Sequence, residues 1–345
     1  MSATTLTRPG ATTARPRPHF AREIEDVALR LPPGKKLGTV FEAIRAPSGD
    51  LLVLQRLSPP NPEAALPHVL RFSPDGELAE AWGGPDHLPR IEGVAQWPTG
   101  PEGLTLDADG NYWIFGFAEG DTAVMKFTPR GELLLRIGDY GRAAGNDDTF
   151  GFNRPTSGFV DPVAREVFIS DGYGNSRVIA FDADTGAFTR MWGAYGKPPS
   201  QVPPEEAWAS PVHKVAEGPG GRVYVADRVG CRVQEFERVP GGARFTREVR
   251  IAPGTPFFGS AFDIGFSPDG AFMYVADGMN ERIWIIELAS FEVLGSTTAH
   301  HEYENAGNMP AYTRLLHRFS VEPNGDLLLA CSNAGLKRLR FLGVS

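Results

Sequence analysis

Three side chains that can bind a metal ion occupy equivalent positions in a repeated sequence pattern. Glu102, His213 and His317 each stand eight residues before the glycine of a tight turn, in the segments PEGLTLDADG, VHKVAEGPGG and LHRFSVEPNG. Two imidazoles and a carboxylate directed at one point would hold a divalent cation and leave coordination positions open, which suits Lewis-acid chemistry. Zinc is the favoured ion, and iron, manganese or calcium with added oxygen ligands are the alternatives.

The equivalent position in the remaining copies of the pattern carries other residue types. The first, third and fifth copies have Phe41, Thr156 and Phe262 there. If the copies surround an axis, alternate copies are related by an approximate threefold rotation, so the three candidate ligands would converge. A single histidine facing such an axis is more often a hydrogen-bonded channel residue, and the metal hypothesis therefore depends on all three positions meeting.

Three further polar residues follow the second strand of their copies and are candidates for catalysis. Arg56 follows LLVLQ, Tyr173 lies in DGYGNSR, and Arg228 lies in VADRVGCR. A phenol near a metal can act as a general base, and guanidinium groups can bind a carboxylate or stabilise an oxyanion. The alternative for each of the three is a solvated loop residue.

The elements that would position these residues are short strands in a repeat of roughly fifty residues. Clear copies are GFVDPVAREVFISDGYGNSRVIAF, KVAEGPGGRVYVADRVGCRVQEF and DIGFSPDGAFMYVADGMNERIWII, and weaker copies bring the number to six. Each supplies alternating strands joined by turns, and the 40 glycines and 30 prolines fit many turns better than long helices. The sequence therefore predicts an all-β, six-bladed β-propeller.

The last copy ends without a fourth strand, at Arg340–Leu342. The early segment HFAREIEDVALRLP alternates like a strand, so we expect it to complete the last blade and close the ring, which removes an exposed edge. Residues 1–18 are predicted to be a disordered tail and residues 19–345 a single propeller domain.

Repeated Asp and Arg residues indicate a structural role and not a catalytic one. Their recurrence in successive copies suggests charge-assisted hydrogen bonds that brace the loop between two strands. The pairs are Asp171 with Arg177, Asp227 with Arg232, and Asp277 with Arg282.

Composition limits the classes of partner. The formal charge of −8 comes from scattered carboxylates and favours solubility, with no basic patch of the kind that binds nucleic acid. We expect no signal peptide or membrane span, two free thiols at Cys231 and Cys331, and a cytoplasmic location. The expected partner is a small-molecule substrate, and the sequence gives no oligomeric state.

The motifs SDGYGNSRV, SPVHK and VADRVGCRV resemble those of NHL-repeat propellers that include peptidyl-α-hydroxyglycine α-amidating lyase. The resemblance implies an axial zinc held by three histidines from alternate blades, with a tyrosine and arginines around the substrate. Position by position, His213 and His317 match two zinc ligands and Tyr173 matches the catalytic tyrosine. Arg56 and Arg228 match the catalytic arginines.

Three positions depart from this family pattern. Glu102 stands where the third histidine would be, Gly174 replaces a disulfide cysteine, and Arg318 replaces an aspartate after the last histidine. A carboxylate lowers the positive charge of the site and can change the metal and the acidity of bound groups. The departures suggest an intracellular relative with a different substrate.

The sequence thus favours a metal-dependent lyase that acts on a small polar hydroxylated substrate in the axial channel. The alternatives are a metal-dependent, lactonase-like hydrolase and a non-catalytic interaction scaffold. Substrate choice would depend on the loops at residues 139–152, 194–209 and 297–313, the last of which is long enough to cap the channel.

Overall fold

Six four-stranded antiparallel sheets form the blades of a propeller in the computed structural model, which describes residues 15–56, 62–299, 316–332 and 334–345. From the innermost strand outward, blade 1 comprises β2 (Thr39–Arg45), β3 (Leu51–Arg56), β4 (Val69–Phe72) and β5 (Leu78–Trp82). Blade 2 comprises β6 (Pro101–Leu106), β7 (Tyr112–Gly116), β8 (Ala123–Phe127) and β9 (Leu133–Gly138). Blade 3 comprises β10 (Pro155–Asp161), β11 (Glu166–Asp171), β12 (Arg177–Asp182) and β13 (Phe188–Trp192). In the same order, blade 4 comprises β14 (Val212–Glu217), β15 (Val223–Asp227), β16 (Arg232–Val239) and β17 (Gly242–Arg250). Blade 5 comprises β18 (Asp263–Phe266), β19 (Phe272–Asp277), β20 (Arg282–Glu287) and β21 (Glu292–Thr298). Blade 6 comprises β22 (Leu316–Val321), β23 (Leu327–Cys331), β24 (Gly335–Val344) and β1 (Pro18–Asp26). The predicted six-bladed, all-β architecture is confirmed.

An N-terminal strand closes the ring, as the sequence predicted. Strand β1 pairs antiparallel with β24, from Pro18 opposite Val344 to Asp26 opposite Lys337. This pairing gives the last blade its fourth strand and covers an edge that would otherwise be open. Residues 1–14 of the predicted tail lie outside the described residues.

Packing between neighbouring blades forms the hydrophobic core. One cluster joins blades 3 and 4 through Phe168, Trp192, Trp208 and Phe236, all of which are buried. Second strands such as β11 are buried along their whole length because they lie between two other blades. These strands therefore read as continuous apolar runs with little alternation.

Helical structure in the described residues is limited to short 3₁₀ turns. They are Pro62–Ala64, Ala194–Gly196, Pro199–Gln201 and Pro219–Gly221. None of these described helices approaches the length and apolarity that a bilayer crossing requires. Both cysteines are buried free thiols, as expected.

Two of the three predicted Asp–Arg braces are present. Asp171 accepts from Arg177 Nε at 2.9 Å with both side chains fully buried, and Asp227 accepts from Arg232 Nε at 2.8 Å. The third was wrong, because Asp277 Oδ2 instead accepts from Trp284 Nε1 at 2.9 Å. The indole donates to the Asp277 oxygen as a guanidinium does to the equivalent Asp in blades 3 and 4, and Arg282 remains exposed.

His68 is a buried neutral histidine away from the axis. Its Nδ1 accepts a hydrogen bond from Trp97 Nε1 at 2.8 Å, and since an indole nitrogen can only donate, that ring nitrogen carries no proton. Burial, with the charge of Arg56 as a second cause, lowers the pKa of His68 to about 4. Protonation of His68 is therefore more favourable in the unfolded chain than in the folded one.

Removing the charge of Asp171 should destabilise the protein more than removing that of Asp277. Asp171→Asn leaves the buried Arg177 guanidinium without a charged partner, so we predict a loss of about 3 kcal/mol in the free energy of unfolding. Asp277→Asn leaves no ion pair broken and should cost about 1 kcal/mol. Denaturant unfolding at pH 7 measures both, and equal losses would contradict the brace interpretation.

Acid should weaken the fold through His68. Between pH 6.5 and about 4 the unfolded chain binds a proton that folded His68 does not bind, so stability falls as the pH falls through that window. The pKa difference corresponds to about 3 kcal/mol at pH 4. Denaturant unfolding from pH 7 to pH 4 should show this slope in the native protein and a shallower one in His68→Gln. Parallel slopes would exclude His68 as the cause.

Candidate functional site

A β-bulge places each candidate ligand at the channel axis. Glu102, His213 and His317 are the second residues of the innermost strands β6, β14 and β22. At each one the pairing register shifts: Pro101 lies opposite Gly116 and Gly103 opposite Phe115, so Glu102 is the extra residue. A bulge redirects a side chain out of the regular strand alternation. The same shift occurs at Phe41 and Thr156 in blades 1 and 3.

The three bulged side chains converge as the sequence predicted. Their ligand atoms all lie within 4.8 Å of one another, and all three residues are buried. Glu102 Oε1 lies 3.3 Å from His213 Nε2 and 3.2 Å from His317 Nε2. The structure therefore brings a carboxylate and two imidazoles to one buried point.

Backbone carbonyls from the odd-numbered blades orient both histidines. His213 Nδ1 lies 2.6 Å from Phe262 O, and His317 Nδ1 lies 3.0 Å from Phe41 O. A carbonyl oxygen only accepts, so each Nδ1 carries the proton and donates it. Each Nε2 faces Glu102 Oε1, where it can donate to the carboxylate or, without its proton, offer a lone pair to a cation. Such an outer hydrogen bond fixes the ring orientation of metal-binding histidines.

This donor set fits a divalent cation. His213 Nε2 is buried and has no hydrogen-bond partner among the described residues, although Glu102 Oε1 is 3.3 Å away. Burial and the nearby Arg228 hold the pKa of His213 well below its ordinary value, so the ring is neutral. Burial alone would raise the pKa of Glu102, but the histidines and Arg56 together hold it well below the usual range. An anionic carboxylate and an unpartnered imidazole lone pair are what a metal ion requires.

Arg56 is fixed beside the carboxylate. Its Nη2 pairs with Glu102 Oε2, and its Nε donates to Pro101 O at 2.9 Å. The guanidinium lies between the rings of Phe41 and Phe117, with centroid distances of 3.5 and 4.2 Å. Burial lowers the pKa of Arg56, although Glu102 opposes the shift.

Tyr173 connects the carboxylate to Arg228. Its hydroxyl donates to Glu102 Oε1 at 3.4 Å and accepts from Arg228 Nη1 at 3.1 Å. Burial and the negative charge of Glu102 raise the pKa of Tyr173 to about 12. All six predicted site residues therefore belong to one contiguous group, which we call the axial site.

The axial site lies at one end of the channel. Antiparallel strands reverse direction at every turn, so the end of a second strand and the start of the first strand share one end of the blade. Arg56, Tyr173 and Arg228 follow the second strands of blades 1, 3 and 4, at the end where the candidate ligands begin theirs. We call this end the mouth.

Arg318 crosses the channel below the axial site. It belongs to blade 6, is fully buried, and donates through Nη2 to Thr156 O of blade 3 at 3.1 Å and to His213 O at 3.3 Å. Glu42 and Asp263 carboxylate oxygens lie 3.4 and 3.6 Å from its guanidinium. A side chain that reaches the opposite blade obstructs the channel from below, so we expect a ligand to approach the axial site from the mouth.

Sequence reasoning missed Arg154, which also lies at the mouth. Its Nε donates to Phe117 O at 2.7 Å, and its guanidinium lies 5.3 Å from the centre of the Tyr173 ring. The signal was its position in FNRPT, directly before the innermost strand of blade 3. At Gly174 there is no room for a side chain, because an added Cβ would meet the Asn153 side chain at 2.2 Å.

Comparison with known proteins confirms the resemblance inferred from the motifs. No family model matches the chain. It is 34% identical over 184 residues to peptidyl-glycine alpha-amidating monooxygenase of Mus musculus, a match that covers 52% of this chain and 17% of that protein. It is 28% identical over 235 residues to NHL repeat-containing protein 3 of Mus musculus, covering 64% of this chain and 58% of that one. The matches therefore span less than two thirds of these relatives.

A shorter match and a solved structure add to this. Peptidyl-alpha-hydroxyglycine alpha-amidating lyase 2 of Drosophila melanogaster is 40% identical over 84 residues, which is 24% of this chain and 20% of that protein. The streptogramin B lyase structure superposes with a TM-score of 0.57 at 11% identity, over 94% of this chain and 98% of that one. At that identity the structural similarity shows the propeller fold alone.

Metal content tests the donor set. We predict that the purified protein, reconstituted with Zn²⁺ and dialysed, retains about one ion per chain, and that Glu102→Gln weakens binding at least about tenfold. His19→Gln is the matched control, since His19 lies on β1 at the outer edge of blade 6. Elemental analysis and competition with a chromogenic chelator measure both quantities. Equal affinity in the Glu102 variant and the native protein would contradict the assignment.

Proposed function

We propose that this protein is a metal-dependent lyase that acts on a small polar substrate with a hydroxyl on the carbon that loses its leaving group. The observation that carries the proposal is the convergence of Glu102, His213 and His317 next to Tyr173 at the mouth. Support also comes from similarity to enzymes, among them a protein named as an amidating lyase.

Glu102, His213 and His317 would hold the ion, with zinc favoured and iron, manganese and calcium as alternatives. When bound, the ion would supply Lewis-acid polarisation of a substrate oxygen. Arg318 and its carboxylate neighbours obstruct the channel on the lower side of this centre, so a substrate would enter from the mouth.

Tyr173 would move the proton. Its oxygen accepts one hydrogen bond from Arg228 and retains a lone pair that can take the proton of the substrate hydroxyl. As it does so, its own proton can move towards Glu102 Oε1, 3.4 Å away. The hydroxyl oxygen then forms a carbonyl, and the bond to the leaving group breaks with its electron pair. Tyr173 gives a proton to the leaving group and recovers its own proton from Glu102. The products are an aldehyde or ketone and the protonated leaving group.

The two arginines would orient the substrate and offset developing charge. Arg228 is buried, and its Nε has no hydrogen-bond partner among the described residues. Arg56 is held rigidly by Glu102, Pro101 O and two aromatic rings, so its other N–H groups can be directed at a substrate with little loss of conformational freedom. Preorganised donors of this kind stabilise charge that appears in the transition state.

Loss of either the phenol or the carboxylate should abolish turnover. We predict that Tyr173→Phe and Glu102→Gln lower kcat at least about 100-fold on a panel of N-acyl-α-hydroxyglycines and related α-hydroxy amides, because both remove a proton-transfer group. Tyr195→Phe is the matched control, since its hydroxyl bonds Glu248 and Arg232 on the outer part of blade 4.

Mass spectrometry of the products separates a lyase from a hydrolase. Product masses that sum to the mass of the substrate support the lyase, and a sum larger by one water would replace the proposal with hydrolysis. Native rates in both the Tyr173 and the Glu102 variants would refute a catalytic axial site.

A further inference from the structure

Two guanidinium groups at the mouth have no carboxylate partner among the residues that the structure describes. Every other arginine that is buried or half-buried in the described ranges forms an ion pair with an Asp or Glu. Arg154 and Arg228 are the exceptions within those ranges, and both lie next to the Tyr173 ring. A partly buried cation without a counter-ion is unfavourable, so the binding of an anion at this part of the mouth would be favourable.

Arg154 has the donors that such an anion needs. Its Nε donates a hydrogen bond to Phe117 O at 2.7 Å, whereas neither Nη has an acceptor among the described residues. The two Nη groups of one guanidinium form a planar fork that matches the two oxygens of a carboxylate. The guanidinium lies 5.3 Å from the centre of the Tyr173 ring, so a carboxylate bound by its Nη groups would lie at the mouth beside the axial site.

The backbone of Arg154 is held in an uncommon conformation. Its φ of 66° lies in the left-handed region, which non-glycine residues seldom adopt. Two hydrogen bonds fix it there: Arg154 N donates to Asp121 O at 2.9 Å, and Tyr173 N donates to Arg154 O at 3.2 Å. Conformations of this kind persist where the surroundings enforce them and are concentrated at functional sites.

We propose that Arg154 is a substrate-binding residue whose guanidinium holds a carboxylate of the substrate at the mouth. Arg154 would thereby favour substrates that carry a carboxylate over their uncharged analogues. This inference rests on the proposed function only in taking the axial site as the place where substrate binds. Arg228 stays with Tyr173 and the reacting oxygen, and Arg154 supplies the anchor at a distance from the bond that breaks.

Binding of a non-cleavable acid tests the anchor without turnover. N-benzoylglycine carries a carboxylate and no hydroxyl, and N-benzoylglycinamide is its uncharged counterpart. Calorimetric titration of the native protein should give tighter binding of the acid than of the amide. Arg154→Gln and Arg154→Met should reduce this preference at least about tenfold, since charge-assisted bidentate bonds are lost. Arg154→Lys, which keeps the charge, should retain part of it.

The control variant is Arg130→Gln, an exposed arginine in the turn before β9 at the end opposite the mouth. It should keep the native preference, and melting temperatures should show that every compared variant is folded. Native preference in folded Arg154→Gln or Arg154→Met would overturn the proposal, as would equal or absent binding of acid and amide by the native protein. Because N-benzoylglycine cannot react, an Arg154-dependent preference would stand even if the Tyr173 variant proved fully active in turnover.

Discussion

The β-bulge at the start of the innermost strands is the constraint on which the site depends. A regular strand would alternate its side chains between the two faces of the blade, where they meet neighbouring blades. The extra residue at Glu102, His213 and His317 breaks that alternation, so these side chains leave the blade interface and point along the strand edge to the axis. Because the six blades surround one axis, the three side chains meet there.

The residues at the level of the candidate ligands have a different function in the alternate blades. In blades 5 and 1 the residues at this level, Phe262 and Phe41, provide backbone carbonyls that accept from the histidines of the preceding blades. Ligand-bearing and orienting positions therefore alternate around the ring. A phenylalanine at such a position also keeps its ring against the arginines of the mouth, as Phe41 does with Arg56.

The charged side chains along the axis lie in two layers, a lower one of paired charges and the axial site above it. Four charged residues lie one position after the axial level in their blades, and their formal charges cancel: Glu42, Lys214, Asp263 and Arg318, with Lys214 Nζ 3.2 Å from Asp263 Oδ1. Desolvation raises the pKa of Glu42 to about 7, against the attraction of Lys214 and Arg318. Above that layer lie one carboxylate, two imidazoles and three guanidinium groups: Glu102, His213, His317, Arg56, Arg154 and Arg228. These groups offer ligands for a cation and donors for an anion at the same end of the channel.

The sequence by itself determined the repeat, its six copies, the N-terminal strand that completes the last blade, and the three positions that differ in kind between alternate copies. The copies and the missing fourth strand can be read from the repeat along the chain. The three distinctive positions can be read from their spacing, since each stands eight residues before the turn glycine of its copy. Only the tertiary structure decided which atoms meet across blades. The carbonyls that orient His213 and His317, the reach of Arg318 to the opposite blade, the indole that replaces Arg282 beside Asp277, and Arg154 over Tyr173 all join residues of different strands or blades. Such contacts depend on the angle and closure of the ring, which no local spacing encodes.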